Sequence, residues 1–574
     1  MTITRPDHTL TDSHGRPPVA RPPARPTGQW ALEGTTPLNA PERVKAEGGG
    51  LEVRRRIEEV YAAGGFDSIA EDDLRTRFRW WGLYTQRRPG VDGGQTARLE
   101  PHEIEDRVFM LRVRIDGGAL TTEQLRTVGT LSVELARDTA DLTDRQNIQL
   151  HWVRIEDVPE IWRRLEAVGL STTEACGDTP RVVLGSPVAG ISAEELIDPT
   201  PLIEEIQDRF VGDPSLANLP RKLKTAVTGH PSLDVVHEIN DISFVAVEHP
   251  ELGVGYDLWL GGGLSTSPRL AERLGAFVAP DRAGDVWRAV VLLFRDHGYR
   301  RLRAKARLKF LLADLGAAGL RDLLERDYLD GPLPDGPAPA PATGRADHLG
   351  VHRQRDGRAY VGVAPTVGRV SGRTLLAVAD LVESAGSARV RLTPHQNLVV
   401  LDVEPERVDT LVAGLESLGL RANPSVVRRS TIACTGIEYC KLAIVETKAA
   451  AAAAVDELER RLADLDLDTP ISLHVNGCPN SCARIQIADI GLKGQLVTTD
   501  DGRQVPGFQV HLGGGVASAD RDEPGLGRTV RGLKVSTDGI AEYAERVVRR
   551  YLASRAPGEP FAAWAHRVDE EDLR

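Results

Sequence analysis

The chain is short of cysteine, with five in 574 residues, and it has no apolar run long enough to cross a bilayer. Its N-terminus lacks the hydrophobic segment that directs export, so an oxidising compartment is not indicated and the cytoplasm is expected. Residues 1–45 are rich in Pro, Arg, Thr and Gly and carry no hydrophobic period, which reads as a mobile tail. Positive charge is also in deficit. The net charge of −12 argues against a general nucleic-acid-binding role. No Gly-x-Gly-x-x-Gly fingerprint opens a helix after a strand, and no extra domain is available for a flavin. Any electrons must therefore come from a partner. A monomer is the default expectation.

Four of the five cysteines form two tight pairs. Cys434 and Cys440 enclose Thr435-Gly436-Ile437-Glu438-Tyr439, and Cys478 and Cys482 enclose Pro479-Asn480-Ser481. Four thiolates suit a [4Fe–4S] cluster, one for each iron. Two disulfides, a structural zinc site and unrelated buried thiols use the same residue type. Zinc pairs, however, are commonly separated by two to four residues, and the first pair here has a wider gap. Gly436 and Gly477 flank the cysteines where backbone N–H groups can approach sulfur, and Pro479 fixes the turn of the second pair.

A chain of this length needs more than one core. A Pro-rich stretch from Gly331 through Pro341 divides it into two parts of similar size. The parts resemble each other. Leu142-Thr143-Asp144-Arg145-Gln146-Asn147 recurs 250 residues later as Leu392-Thr393-Pro394-His395-Gln396-Asn397. Gly118–Thr121 matches Gly368–Ser371 at the same offset, Gly229 with Ile239–Ile242 matches Gly477 with Ile487–Ile490, and the triple glycine 261–263 matches 513–515. Four matches in one order indicate a duplicated domain pair and not a solenoid. Phe109–Ile115 and Val390–Leu401 read as strands, and Thr122–Arg137 and Arg373–Glu383 as amphipathic helices. A further helix is expected from about Lys441 to Leu465, around the alanine run. The whole predicts an α+β fold with pseudo-two-fold symmetry and a site between the halves. Only the second half carries the cysteines; His230 stands at the place of Cys478.

The first half is distinguished by cations. Arg112 and Arg114 share one face of a strand, Arg181 follows a turn-rich segment, and Lys222 and Lys224 are spaced to point the same way. Spacing alone does not separate an anion site from solvated surface charge. The triple glycines suit either carboxylate-binding nests or tight turns. The run Arg300–Arg307 reads as a solvated basic helix face and, with the N-terminal tail, as a candidate docking patch for an acidic partner.

The Cys-x5-Cys and Cys-x3-Cys pairs, the doubled Thr-x-x-Gln-Asn and Leu219-Pro220-Arg221-Lys222-Leu223-Lys224 together resemble the siroheme-containing sulfite and nitrite reductases, from roughly Arg79 to the C-terminus. The resemblance implies an internally duplicated sulfite reductase-like fold. Ferredoxin-like half-domains would span 46–170 (with an N-terminal extension) and 346–420. Larger α/β domains would span 171–330 and 421–574, joined by the linker 331–345 and arranged around the siroheme. It implies that Cys434, Cys440, Cys478 and Cys482 hold the cluster, with Cys482 shared with the siroheme iron. Thr143, Arg145 and Asn147 would contact the siroheme, and Arg112, Arg181, Lys222 and Lys224 would bind the substrate. The implied reaction is the six-electron reduction of sulfite to sulfide, with ferredoxin as donor. Lys224 favours sulfite, because plant-type nitrite reductases usually have Asn there. Reduction of nitrite to ammonia is the alternative, and a non-catalytic iron–sulfur electron carrier is the rival from another class. The fifth cysteine, Cys176, and Tyr84 match a covalent Tyr–Cys thioether found in actinobacterial-type sulfite reductases.

Overall fold

The computed structural model describes residues 39–574 except 468, 500 and 522. The expected tail lies outside the described residues up to 38. Its end is ordered: Ala40–Glu47 is a helix capped by the Asn39 side chain, which accepts from the Glu42 N–H at 3.1 Å. Lys45 on this helix is buried, donates to Leu219 O at 2.8 Å and lies 3.4 Å from Asp178.

Four five-stranded sheets form two matched pairs. One small sheet contains Leu83–Arg87, Glu105–Val113, Ile148–Val153 and Ala140–Leu142, and is completed by Arg369–Val370 of the second half. Its counterpart contains Gly350–Arg353, Ala359–Val363, Leu398–Val403 and Arg389–Leu392, and is completed by Ala119–Thr121 of the first half. The halves thus exchange a short strand. Arg369 pairs with Asp141, and Ala119 with Arg391. The exchanged segments are the repeat Gly118–Thr121 and Gly368–Ser371. Helices Thr122–Leu135 and Gly372–Ser384 follow them and cross at Gly129 and Gly372. A Cβ on Gly372 would stand 2.6 Å from Gly129 O, so only glycine allows this approach. Both small sheets and both helices share one apolar core, from Phe109 and Leu150 to Val361 and Val400.

The two large sheets are also copies. Pro180–Gly185, Leu223–Thr228 and Ile242–His249 run parallel, then Gly253–Leu260 and Glu272–Val278 turn antiparallel. Thr431–Ala433, Leu473–Asn476, Ile490–Thr498, Gln504–Leu512 and Arg528–Ser536 repeat that order. Each has its own core beneath its helices. The Pro-rich linker is extended and pinned to a sheet edge: Phe277 N donates to Pro334 O and Gly336 N to Gly275 O, at 2.8 and 2.9 Å.

Three expectations change. The alanine-rich helix begins at Lys448, because Lys441–Thr447 are drawn into loop contacts beside the cysteines. The basic run is no solvated helix face. It holds only a short turn, Arg303–Lys305. Arg300 is buried against Glu42, Arg303 pairs with Asp178 and Arg307 with Asp241. The triple glycines are turns and not nests. The N–H groups of Gly261, Gly263, Gly513, Gly514 and Gly515 are all bonded to backbone carbonyls.

Candidate active site

Two loops from the second large sheet gather the cysteines. Cys434 follows strand Thr431–Ala433, and Cys478 follows Leu473–Asn476 by two residues. No disulfide joins any of the five cysteines. The four paired thiols converge: burial first, and then Cys482, push Cys434 up to about 12, and the same two causes raise Cys440 and Cys478. Thiols crowded in this way ionise only beside a strong cation, which the iron of a cluster supplies. Backbone donors are aimed at them. Gly477 N–H donates to Cys434 Sγ at 3.2 Å, with Gly436 N–H beside it at a positive φ. Backbone N–H groups of Leu442 and Ala443 serve Cys440, and that of Asn480 serves Cys478. Such bonds favour the charged sulfur and tune a cluster's potential. The loop is held from below by Arg87 of the first half, whose guanidinium donates to Ala443 O at 3.1 Å and to Lys441 O at 3.3 Å.

Cys482 is the exposed member of the set. It is also the one that acts electrostatically on the cations: Cys482 favours the charged forms of Arg112 and Lys222. The structure therefore brings Arg112, Lys222 and Cys482 together from distant parts of the chain. Burial opposes the Arg112 charge, but Cys176, Tyr84 and Cys482 outweigh it. The Gln149 amide, across the sheet from Arg112, bridges its guanidinium and Thr435 of the cluster loop. The ammonium groups of Lys222 and Lys224 make no hydrogen bond or ion pair among the described residues. Burial first, then neighbouring cations, lower both; Lys224 falls to about 7 beside Arg145 and Arg307.

The other expected residues are more committed to the fold. Arg181 donates to Gly177 O at 2.8 and 3.0 Å and to Ala175 O at 3.3 Å, so it braces the turn that carries Cys176. Arg145 donates to Asn240 Oδ1 at 2.6 Å and Val182 O at 2.7 Å. Thr143 Oγ1 accepts from the N–H groups of Arg145 and Asn147 and shapes the turn, while Asn147 Oδ1 accepts from Ile115 N–H. Gln146, shared by both copies of the repeat, is a clamp: its amide exchanges two 2.9 Å bonds with Gly185, as Gln396 does with Ala433 just before Cys434. Tyr84 lies in the strand beside Arg112, and burial together with Cys176 raises its phenol. Arg112 Nη1 is 3.3 Å from Cys176 Sγ.

Several polar atoms in this region are buried without a partner: Asn147 Nδ2, His395 Nε2 and Arg484 Nε. Arg484 follows Cys482 by two residues, and its guanidinium lies 3.8 Å from Asp144 across the halves. Orphaned donors among half-buried and buried cations suit a polycarboxylate macrocycle such as siroheme. Sequence reasoning missed Arg484, Gln149 and Arg87, and it singled out Arg307 only as part of a basic run. The nearness of Arg484 to Cys482 was a usable signal; the others are joined to the site only by tertiary packing.

Family models match in duplicate. The nitrite and sulphite reductase 4Fe-4S domain covers 176–332 and 427–574, and the nitrite/sulfite reductase ferredoxin-like half domain covers 102–168 and 352–418. The chain belongs to the nitrite and sulphite reductase family. This family membership fixes the cofactors as a [4Fe–4S] cluster with siroheme, and removes zinc and disulfides as readings of the cysteines. Among its relatives, a protein named sulfite reductase [ferredoxin] from Mycobacterium tuberculosis strain H37Rv is 57% identical, over 97% of this chain and 100% of its own. An assimilatory ferredoxin-dependent nitrite reductase from Haloferax mediterranei is 36% identical, over 91% of this chain and 90% of its own. The solved structure of the Mycobacterium tuberculosis NirA protein superposes with a TM-score of 0.92 at 57% identity, over 96% of this chain and all of that one.

Proposed function

We propose that this reductase carries out the six-electron assimilatory reduction of sulfite to sulfide, with reduced ferredoxin as donor. The observation that carries the reading is the position of Cys482, within electrostatic reach of three cluster cysteines on one side and of Arg112 and Lys222 on the other. In this reading Cys434, Cys440 and Cys478 would hold the cluster, and Cys482 would serve both the cluster and the siroheme. The siroheme, when bound, supplies an iron centre that passes electrons to the substrate. Arg112 and Lys222 hold the oxyanion against its own charge. Lys224, with a pKa near 7, donates protons as oxygens leave as water. Arg181 positions the Cys176 turn, and Thr143, Arg145 and Asn147 shape the loop that meets the macrocycle. Sulfite is favoured over nitrite by Lys224 and by the higher identity to relatives named sulfite reductases, 57% against 36%.

The reading makes the enzyme a cytoplasmic monomer. Among the described residues no helix is long and apolar enough to cross a membrane. It also joins Tyr84 to Cys176 as a thioether; peptide mass spectrometry finding the two residues on separate, unmodified peptides removes that bond. The siroheme assignment is tested by the visible spectrum of protein expressed with siroheme synthesis available. Soret and long-wavelength bands are expected, and they are lost in Cys482→Ala. A lone iron–sulfur absorption would overturn it.

A further inference from the structure

The first half has lost the cysteines, yet the positions that correspond to them still meet. At a constant offset of 248 residues, Cys434, Cys440, Cys478 and Cys482 correspond to Ser186, Ser192, His230 and Asp234. The frame is the same. Ser186 follows strand Pro180–Gly185 as Cys434 follows Thr431–Ala433, and His230 follows Leu223–Thr228 by the same step as Cys478 follows Leu473–Asn476. Ser192 has turned to a local role, accepting from the Glu194 N–H. Its place is taken by His348, delivered from the second half just before strand Gly350–Arg353.

His230, Asp234 and His348 are buried, and their ligand atoms all lie within 4.8 Å of one another. His348 Nε2 is 2.8 Å from Asp234 Oδ2, and the two imidazoles stand edge to face with centroids 5.0 Å apart. Ser186 Oγ donates to Asp234 Oδ2 at 2.7 Å and Thr228 Oγ1 to Asp234 Oδ1 at 2.9 Å, which fixes the carboxylate. His230 Nδ1 bonds to Ser232 Oγ at 2.8 Å and accepts from the Ser232 N–H at 3.2 Å, which fixes the ring, and its Nε2 lies 3.9 Å from Glu194 Oε2.

We propose that this cluster is a divalent-metal site, with His230, Asp234 and His348 as ligands and zinc as the metal. Two imidazoles and a carboxylate, without thiolate, are a zinc-type donor set and no place for an iron–sulfur cluster. The metal fastens the second half to the first large domain through His348.

The test is elemental analysis with zinc-edge X-ray absorption on the holoenzyme, expressed in zinc-supplemented medium and desalted. The expected result is an equimolar amount of zinc beyond the iron, with imidazole and oxygen scatterers at about 2.0–2.2 Å. Asp234→Asn and His348→Gln should lose the zinc while keeping the siroheme and cluster absorption. Should a variant fail to fold, the wild-type spectrum still decides. Absence of zinc from the wild-type protein would mean that the cluster is a hydrogen-bonded hub only. Sulfur scatterers would place zinc in the cysteines, and zinc retained by both folded variants would place it elsewhere. Each of these three results overturns the proposal.

Discussion

Lys224 combines three properties seldom found together in one lysine: a half-buried side chain, an ammonium with no hydrogen-bond partner among the described residues, and a pKa near 7 set first by burial and then by Arg145 and Arg307. Its ammonium is held below that pH and lost as the pH rises through it, and an approaching anion pulls the proton back. The KM for sulfite should therefore rise with pH above about 7. In Lys224→Arg this limb should flatten, and the protonation of sulfite itself, common to both proteins, cancels in the comparison. Lys224→Met should lower kcat by about a hundredfold, the usual scale of a general acid; steady-state kinetics with reduced ferredoxin checks both. At this scale the sequence was readable where chemistry is carried by rare residue types. The four paired cysteines lie near one another, and two tight pairs among only five cysteines made them readable from the sequence. The guanidinium groups of Arg145 and Arg181 are largely taken up by carbonyls and Asn240, a competition that no local pattern reveals.

Elements were legible where a period was long and wrong where tertiary contacts broke it. Thr122–Leu135 and Gly372–Ser384 fall within two residues of their expected ranges. The alanine run promised a helix from Lys441, but Arg87 claims the Lys441 and Ala443 carbonyls and the Ile444 N–H donates to Gly477 O, so helix starts only at Lys448. The basic run failed as a helix face because Asp178, Asp241 and Glu42 draw its arginines inward. Two predictions belong here. Gly372→Val drives a side chain against Gly129 O and should destabilise the crossing by about 1–3 kcal/mol, read as a lowered midpoint in thermal or urea unfolding. Lys45→Met leaves buried Asp178 with one cation fewer and should cost about 3 kcal/mol, whereas removing residues 1–38 keeps Lys45 and its contacts.

Over the whole molecule, duplication was readable from four weak matches in constant order, but strand exchange was not. The swapped segments were visible as a repeat, and only pairing with the opposite half explains why they recur. The ferredoxin-like half-domains, matched at 102–168 and 352–418, lend each other a strand and share one core, so they are not independent units. Residues 39–345 and 346–574 expressed separately should each fail to give cooperative unfolding by circular dichroism, while the intact chain unfolds the two small sheets together. The shared core also fixes the distance between the cysteine loops of one half and the cations of the other, which is what the proposed reaction requires. The most direct test of that reaction is the yield of sulfide from sulfite by the purified holoenzyme, driven anaerobically by reduced ferredoxin. The account predicts one sulfide for every six electrons taken from ferredoxin. Ferredoxin oxidised without sulfide, or sulfite left untouched while nitrite is converted to ammonia, would contradict it.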